Sequence, residues 1–70
     1  MTEKTYAITH LVGTSPDSID DAIRNGLRRA GETLRNLDWF EVTEIRGHLA
    51  HTAEVQQFQV TMKVGFRYDD

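Results

Sequence analysis

The chain has 70 residues and contains no cysteine. A chain this short buries only about 60% of the surface of its unfolded form, and without cysteine neither a disulfide nor a thiolate metal site can reinforce it. The formal net charge of −3 does not favour general affinity for nucleic acids. We therefore expect a single domain over residues 1–70 that gains stability by self-association.

No apolar run approaches the roughly 18–20 residues that a membrane span requires. The first four residues lack the pattern of a signal peptide, so the expected location is the cytoplasm, with neither a membrane nor a nucleic acid as partner. The three histidines, His10, His48 and His51, do not have the close spacing of metal ligands. No metal site is predicted.

The first element is a predicted strand over about residues 4–12, where Tyr6, Ile8 and Val12 share one parity. The segment 13–17, Gly-Thr-Ser-Pro-Asp, predicts the end of this strand and the start of a helix. Ser15 fits the N-cap, because its hydroxyl can accept from an unpaired backbone N–H. A proline such as Pro16 is tolerated at the first helical position, where its missing N–H costs nothing.

The helix is predicted over residues 16–37. Its apolar residues recur at spacings of three and four, which indicates one buried stripe: Ile19, Ala22, Ile23, Gly26, Leu27, Ala30, Leu34 and Leu37. Because Gly26 lies on this stripe, we expect a close approach of the helix to the sheet there. Asp17, Asp20 and Asp21 suit the positive end of the helix dipole.

A second strand is predicted to begin near Trp39, with Phe40 and Val42 on one face. Ile45 breaks that parity, and a β-bulge near residues 43–44 would restore a common apolar face. A turn around residues 50–54 leads into the third strand. There, six apolar residues alternate with six positions that carry no large apolar side chain, which predicts one face against the helix and one polar face. We expect this strand to be central in the sheet.

These parities place four side chains on the face of the sheet away from the helix: Trp39, Arg46, Gln59 and Arg67. An indole stacks on flat π-systems, and a glutamine amide offers both a donor and an acceptor to the edge of a heterocycle. Arginine suits bidentate recognition of phosphate. The set fits a phosphorylated planar heterocycle.

Simpler interpretations of the same residues remain open. Interfaces between subunits are enriched in Trp and Arg, so Trp39 could be buried by a second copy, with or without a ligand between the copies. Arg46 and Arg67 could be solvated or paired with acidic neighbours such as Glu41 and Glu44, and Gln59 could be a polar residue without a ligand.

Four segments together resemble the dodecin family, in the same order and spacing over nearly the whole chain. They are Leu-Val-Gly-Thr-Ser at 11–15, Leu-Asp-Trp-Phe-Glu-Val at 37–42, Ile-Arg-Gly at 45–47, and residues 58–67 from Phe-Gln-Val to Val-Gly-Phe-Arg. The resemblance implies an α+β fold of β-α-β-β order, with a three-stranded antiparallel sheet packed on one long helix. It also implies assembly into a hollow homododecamer.

The resemblance further implies the ligand and the residues that hold it. Dodecins bind flavins as stacked pairs between two-fold-related subunits, and the tryptophan that sandwiches the pair matches Trp39. Gln59 matches the glutamine that reads the isoalloxazine edge, while Arg46 and Arg67 match basic residues near the flavin. Lys4 is the candidate for a lysine that helps hold the phosphate. The turn at 48–54 is slightly longer than in many relatives.

The expected function is storage and buffering of a flavin, FMN or alternatively riboflavin or FAD, with quenching of its photoreactivity. Some family members also bind coenzyme A, which makes it a second candidate ligand. No enzyme is expected, because the chain has no cysteine and no triad or carboxylate pair in a plausible pocket. The competing hypotheses are a coenzyme A-binding or purely structural cage and a flavin-dependent oxidoreductase.

Overall fold

The chain folds into three strands and one helix. A computed structural model describes residues 3–68, with β1 at Tyr6–Ser15, α1 at Ile19–Thr33, β2 at Leu37–Leu49 and β3 at Val55–Arg67. The strand order is β1-β3-β2, and β3 pairs antiparallel with both neighbours. This confirms the predicted β-α-β-β topology, the three-stranded antiparallel sheet and the central position of the third strand. Met1 and Thr2, part of the segment tested for a signal peptide, lie outside the described residues.

The helix is shorter than predicted at both ends. It begins at Ile19, and its N-cap is Ser18, whose side chain accepts from the backbone N–H of Asp21. The predicted N-cap, Ser15, instead ends β1, so the predicted strand end at Val12 and the predicted helix start at Pro16 are both wrong. The Ser15 hydroxyl accepts from the N–H groups of residues 17 and 18, which satisfies the turn that precedes the helix.

At its other end the helix stops at Thr33, because Leu34 has an extended backbone. Asn36 follows with a left-handed φ of 62°, a conformation that asparagine adopts more easily than most residues. Leu37, predicted as the last helical residue, therefore begins β2, although its side chain still packs against the core as the stripe predicted.

Two glycines let the helix lie directly on β1. A Cβ atom on Gly13 would lie 2.1 Å from the carbonyl oxygen of Ala22, and a Cβ on Gly26 would lie 3.0 Å from the Cα of Gly13. The close approach predicted at Gly26 is confirmed, and Gly13 is its counterpart on the strand. Leu11 and Gly13 therefore face the helix, whereas Tyr6, Ile8 and Val12, which have the other parity, face away from it.

The predicted bulge lies where the sequence placed it. The register of β2 against β3 shifts between Val42 and Glu44, so Thr43 is the extra residue. Val42 pairs with Met62 before the shift and Ile45 pairs with Val60 after it. Both pairs use the helix side of β3, so the bulge restores one apolar face to a strand whose sequence parity breaks.

The core is small, and the molecule is elongated. The cluster of fully buried residues consists of Ala22, Val60, Met62 and Val64. The Cα radius of gyration is 14.6 Å, against about 11 Å for a compact domain of this length. The reason is that α1 is about 22 Å long while β2 and β3 extend over about 40 Å, so the β2–β3 hairpin projects beyond the helix. Within residues 3–68, no helix has the length and apolar character needed to span a membrane.

Candidate flavin site on the uncovered sheet face

The indole of Trp39 lies over Gly65 on the sheet face opposite the helix. Trp39 pairs with Gly65 across β2 and β3. Val64, the residue before Gly65 in β3, is buried on the helix side, so residue 65 faces the other way. A Cβ on Gly65 would lie 2.1 Å from Cε2, 2.3 Å from Cζ2 and 2.6 Å from Nε1 of the indole. The edge of the ring that carries the N–H therefore occupies the space where a side chain of residue 65 would stand. The Trp39 residue remains 40% exposed.

Arg46 and Gln59 form a second group on the same face. They are direct partners in the β2–β3 register, and Arg46 Nε donates to Gln59 Oε1 at 2.9 Å. Arg46 Nη1 also donates to Glu44 Oε1 at 3.0 Å. The pairing with Glu44 that the sequence left open is present, and both side chains of the pair are exposed.

Arg67 belongs to the end of the face where Trp39 lies. It pairs with Tyr6 of β1 and is two residues from Gly65 along β3. Tyr6 interacts with Asp38, the residue before Trp39. The Asp38 carboxylate raises the pKa of Tyr6, chiefly as a hydrogen-bond acceptor for the hydroxyl, with smaller contributions from desolvation and from the Asp38 charge; Arg67 opposes the shift. Tyr6 thus connects β1 to the segment of β2 that carries the indole.

Lys4 lies before the first strand rather than inside it, in an exposed segment. The backbone carbonyl of the next residue, Thr5, accepts from the N–H of Tyr68, which holds this segment beside the end of β3. Lys4 is therefore at the same end of the sheet as Arg67 and Trp39, and the prediction of its phosphate contact stays a prediction.

The four predicted residues share a face but do not converge within one chain. Gly65, beneath the indole, is six residues from Gln59 along β3, which corresponds to about 20 Å of extended strand. Trp39 and Arg67 form one group, and Arg46 and Gln59 form the other. The structure therefore does not bring the two groups together within one chain.

Sequence reasoning missed two kinds of residue in this site. Gly65 interrupts a strong strand pattern, and such a glycine signals close approach of another group, so the sequence contains a signal for this contact. Gln57, Asp38 and Tyr6 contact site residues only through the observed register and bulges. No sequence pattern in a single chain marks those contacts.

Comparison with known proteins identifies the family of the chain. The sequence model of the family described as Dodecin matches residues 5–69. The chain belongs to the dodecin family. Among curated proteins, the dodecin of Thermus thermophilus is 49% identical over 67 residues, which is 96% of each chain. The family membership inferred from four sequence segments is confirmed.

Solved dodecin structures share the fold over their whole length. The dodecin from Streptomyces davaonensis superposes with a TM-score of 0.94 at 56% identity, and the alignment covers 99% of this chain and 100% of that dodecin. The dodecin from Streptomyces coelicolor gives 0.93 at 50% identity, with 100% and 99% coverage. The three strands and the helix described above are therefore those of a dodecin subunit.

Proposed function

We propose that this dodecin binds a flavin, FMN or riboflavin, between two copies of the chain and stores it without catalysing a reaction. The observation that carries the proposal is the separation of the two groups on the uncovered face. The indole at Gly65 and the amide of Gln59 lie about 20 Å apart along β3. A second copy related by a two-fold axis would bring its own Gln59 group to the indole of the first.

The residues present fit the chemistry of a flavin. The isoalloxazine ring is flat, and the half-exposed indole of Trp39 offers a π-surface against which it can stack. Its polar edge alternates N–H and C=O groups, which the amide of Gln59 can match. A phosphate, if the ligand is FMN, would meet the positive charges of Arg67 and Lys4 at the end of the face where the indole lies.

Self-assembly is the second part of the proposal, as a hollow homododecamer. Among residues 3–68, nine large apolar residues are exposed, on both faces of the sheet: Tyr6, Ile8, Val12, Trp39, Phe40, Ile45, Leu49, Val55 and Tyr68. Phe40 and Ile45 have helix-side parity on β2, and both remain exposed. An elongated chain with so small a core needs other copies to bury this surface.

A flavin ring that is sandwiched between subunits favours storage over catalytic turnover. Two indoles from two-fold-related copies would cover the outer faces of a stacked flavin pair, which leaves no room for a second substrate on either ring. An indole in contact with an excited flavin is an electron donor, so fluorescence and photoreactivity of the bound ligand should fall. The protein would then sequester the flavin and protect the cell from its photochemistry.

The test is titration of the purified protein with riboflavin and FMN, followed by flavin fluorescence, together with the mass of the particle by light scattering. We expect strong quenching, saturation at one flavin per chain, and a mass near that of twelve chains. Absence of binding by either flavin would leave a purely structural cage. Steady oxidation of NADH or NADPH by the loaded protein would favour an oxidoreductase and overturn the storage proposal.

A further inference from the structure

Gln59 lies within a continuous chain of side-chain hydrogen bonds on the uncovered face. Arg46 Nε donates to Gln59 Oε1 at 2.9 Å, and Gln59 Nε2 donates to Gln57 Oε1 at 3.0 Å. Arg46 is itself held by Glu44 at 3.0 Å, and the Thr61 hydroxyl donates to the same carboxylate oxygen at 3.4 Å. The chain therefore runs from β2 to β3 and then along β3.

The direction of this chain is fixed by chemistry. A guanidinium has donors and no acceptor, so the atom of Gln59 that faces Arg46 must be the amide oxygen. The amide nitrogen then points along β3 toward Gln57, which presents its own oxygen to it. Two contacts on opposite ends of the amide hold both its orientation and its plane, whereas a single contact would let it pivot.

The two contacts leave half of the hydrogen-bonding capacity of Gln59 unused. A primary amide has two N–H donors and two acceptor lone pairs. Arg46 uses one lone pair and Gln57 uses one N–H, so one acceptor and one donor remain on the same amide group. That remaining pair matches a ring edge in which an N–H stands next to a C=O, such as the N3–H and carbonyl edge of a flavin.

We infer that Gln57 and Arg46 are positioning residues that orient the Gln59 amide, so that the site selects a ring edge carrying an N–H beside a carbonyl. The inference rests on the proposed flavin function and deepens it. It makes ring-edge selectivity a property of the whole hydrogen-bonded chain rather than of Gln59 alone. Gln57, which would not touch the ligand, becomes a determinant of which ligand is accepted.

The experiment compares riboflavin with N3-methylriboflavin, whose edge lacks the N–H, in the full-length assembled protein. Neither compound carries a phosphate, so contributions from Arg67 and Lys4 are removed from the comparison. For the wild type we expect the methylated compound to bind about tenfold more weakly, since the oriented amide oxygen then loses its donor and a methyl group intrudes. The ratio of the two dissociation constants is the measure of selectivity.

Gln57→Leu removes the oxygen that accepts from Gln59 Nε2, and we expect the ratio to fall to about threefold or less as the amide pivots. Gln57→Asn, one methylene shorter, is a second variant that withdraws the oxygen while keeping the residue polar, with the same expected result. Gln57→Glu keeps an acceptor at that position and should retain the wild-type ratio. The matched control is Gln56→Leu, an exposed glutamine one residue earlier in β3.

The possible results separate the inference from the function on which it rests. Loss of selectivity in Gln57→Leu and Gln57→Asn, with retention in Gln57→Glu and Gln56→Leu, supports the positioning role. An unchanged ratio in Gln57→Leu and Gln57→Asn overturns it, and so does an equal weakening of both compounds, because that is the signature of a merely structural residue. If the wild type binds neither compound, the flavin function itself fails and the inference fails with it.

Discussion

The indole of Trp39 occupies the space that a side chain at residue 65 would fill. Three ring atoms lie within 2.6 Å of the position of a Cβ on Gly65, and the two residues are direct partners across β2 and β3. Glycine is therefore required beneath the ring for a steric reason, since its φ is not in the left-handed region. The indole rests on the backbone of the central strand, which fixes its height above the sheet.

Replacement of Gly65 by alanine should displace the indole and weaken flavin binding by about tenfold or more, because contacts of 2.1–2.6 Å cannot be kept. Titration by fluorescence quenching measures the loss, and the emission maximum of Trp39 reports the movement of the ring. Gly47→Ala is the matched control in the same sheet, since its Cβ would meet the nearest atom at an ordinary 3.5 Å. Equal flavin affinities of the two variants would contradict the position of the indole over Gly65.

Trp39→Ala should remove most of the flavin affinity, about a hundredfold, because the stacking surface and its buried area disappear together. Trp39→Phe should retain part of the affinity but quench the flavin less, since phenylalanine is a poorer electron donor than indole. Tyr68→Ala provides a control at another exposed aromatic residue. Near wild-type affinity in Trp39→Ala would exclude the aromatic stack.

Arg67→Ala should weaken FMN binding by about three- to tenfold and riboflavin binding by less than about twofold, because only FMN carries a phosphate for the guanidinium. The FMN affinity of the wild type should also fall more steeply with added salt than that of the variant. The comparison by calorimetry includes Arg24→Ala, an exposed arginine on α1. An equal loss for both flavins would assign Arg67 to the structure of the face rather than to the phosphate.

Alanine substitutions at the two glycines of α1 should change the thermal midpoint in opposite directions. Alanine is a better helix former than glycine by about 1 kcal/mol, and a Cβ on Gly31 meets no atom closer than 3.9 Å. Gly31→Ala should therefore raise the thermal midpoint. Gly26→Ala should lower it, because its Cβ would press on Leu11, Gly13 and Met62 at 2.9–3.1 Å, and overpacking costs about 1–3 kcal/mol.

Both midpoints are to be measured by scanning calorimetry at one protein concentration, because self-association makes the midpoint depend on concentration. A rise in both variants would show that the helix does not contact β1 as closely as described.

The contact between Tyr6 and Asp38 should make the protein sensitive to alkaline pH. The pKa of Tyr6 is raised above its ordinary 10.0, first by the hydrogen bond to Asp38. Because this pKa is raised, the contribution of the contact to folding stability is fully present below pH 10.0. It is lost as the pH rises through the higher pKa of the folded state. Spectrophotometric titration of tyrosine should therefore show a component above pH 10.0 in the wild type.

That component should disappear in Tyr6→Phe. In Asp38→Asn it should titrate at a lower pH, because the neighbouring negative charge is gone. A titration curve of Tyr6→Phe with the same high component as the wild type would show that the raised pKa does not belong to Tyr6.

The alternation of β3 and the stripe of α1 were sufficient to predict most of the fold. Residues such as Val60, Met62 and Val64 recur with period two, so their common face could be assigned without coordinates. The parity break at Ile45 located the bulge to within one residue. The ends of the helix could not be assigned in the same way, because Ser15 and Ser18 are equally good caps and the choice depends on how far β1 continues along β3.

For the site, the sequence by itself determined which side chains share the uncovered face, because parity along a strand is a local property. Only the tertiary structure decided their distances, since the register between β2 and β3 depends on bulges and on pairing across the sheet. That register places Trp39 on Gly65 and connects Gln59 to Gln57 and Arg46. It also separates the two groups along β3, so a flavin site of the kind proposed needs residues from two copies of the chain.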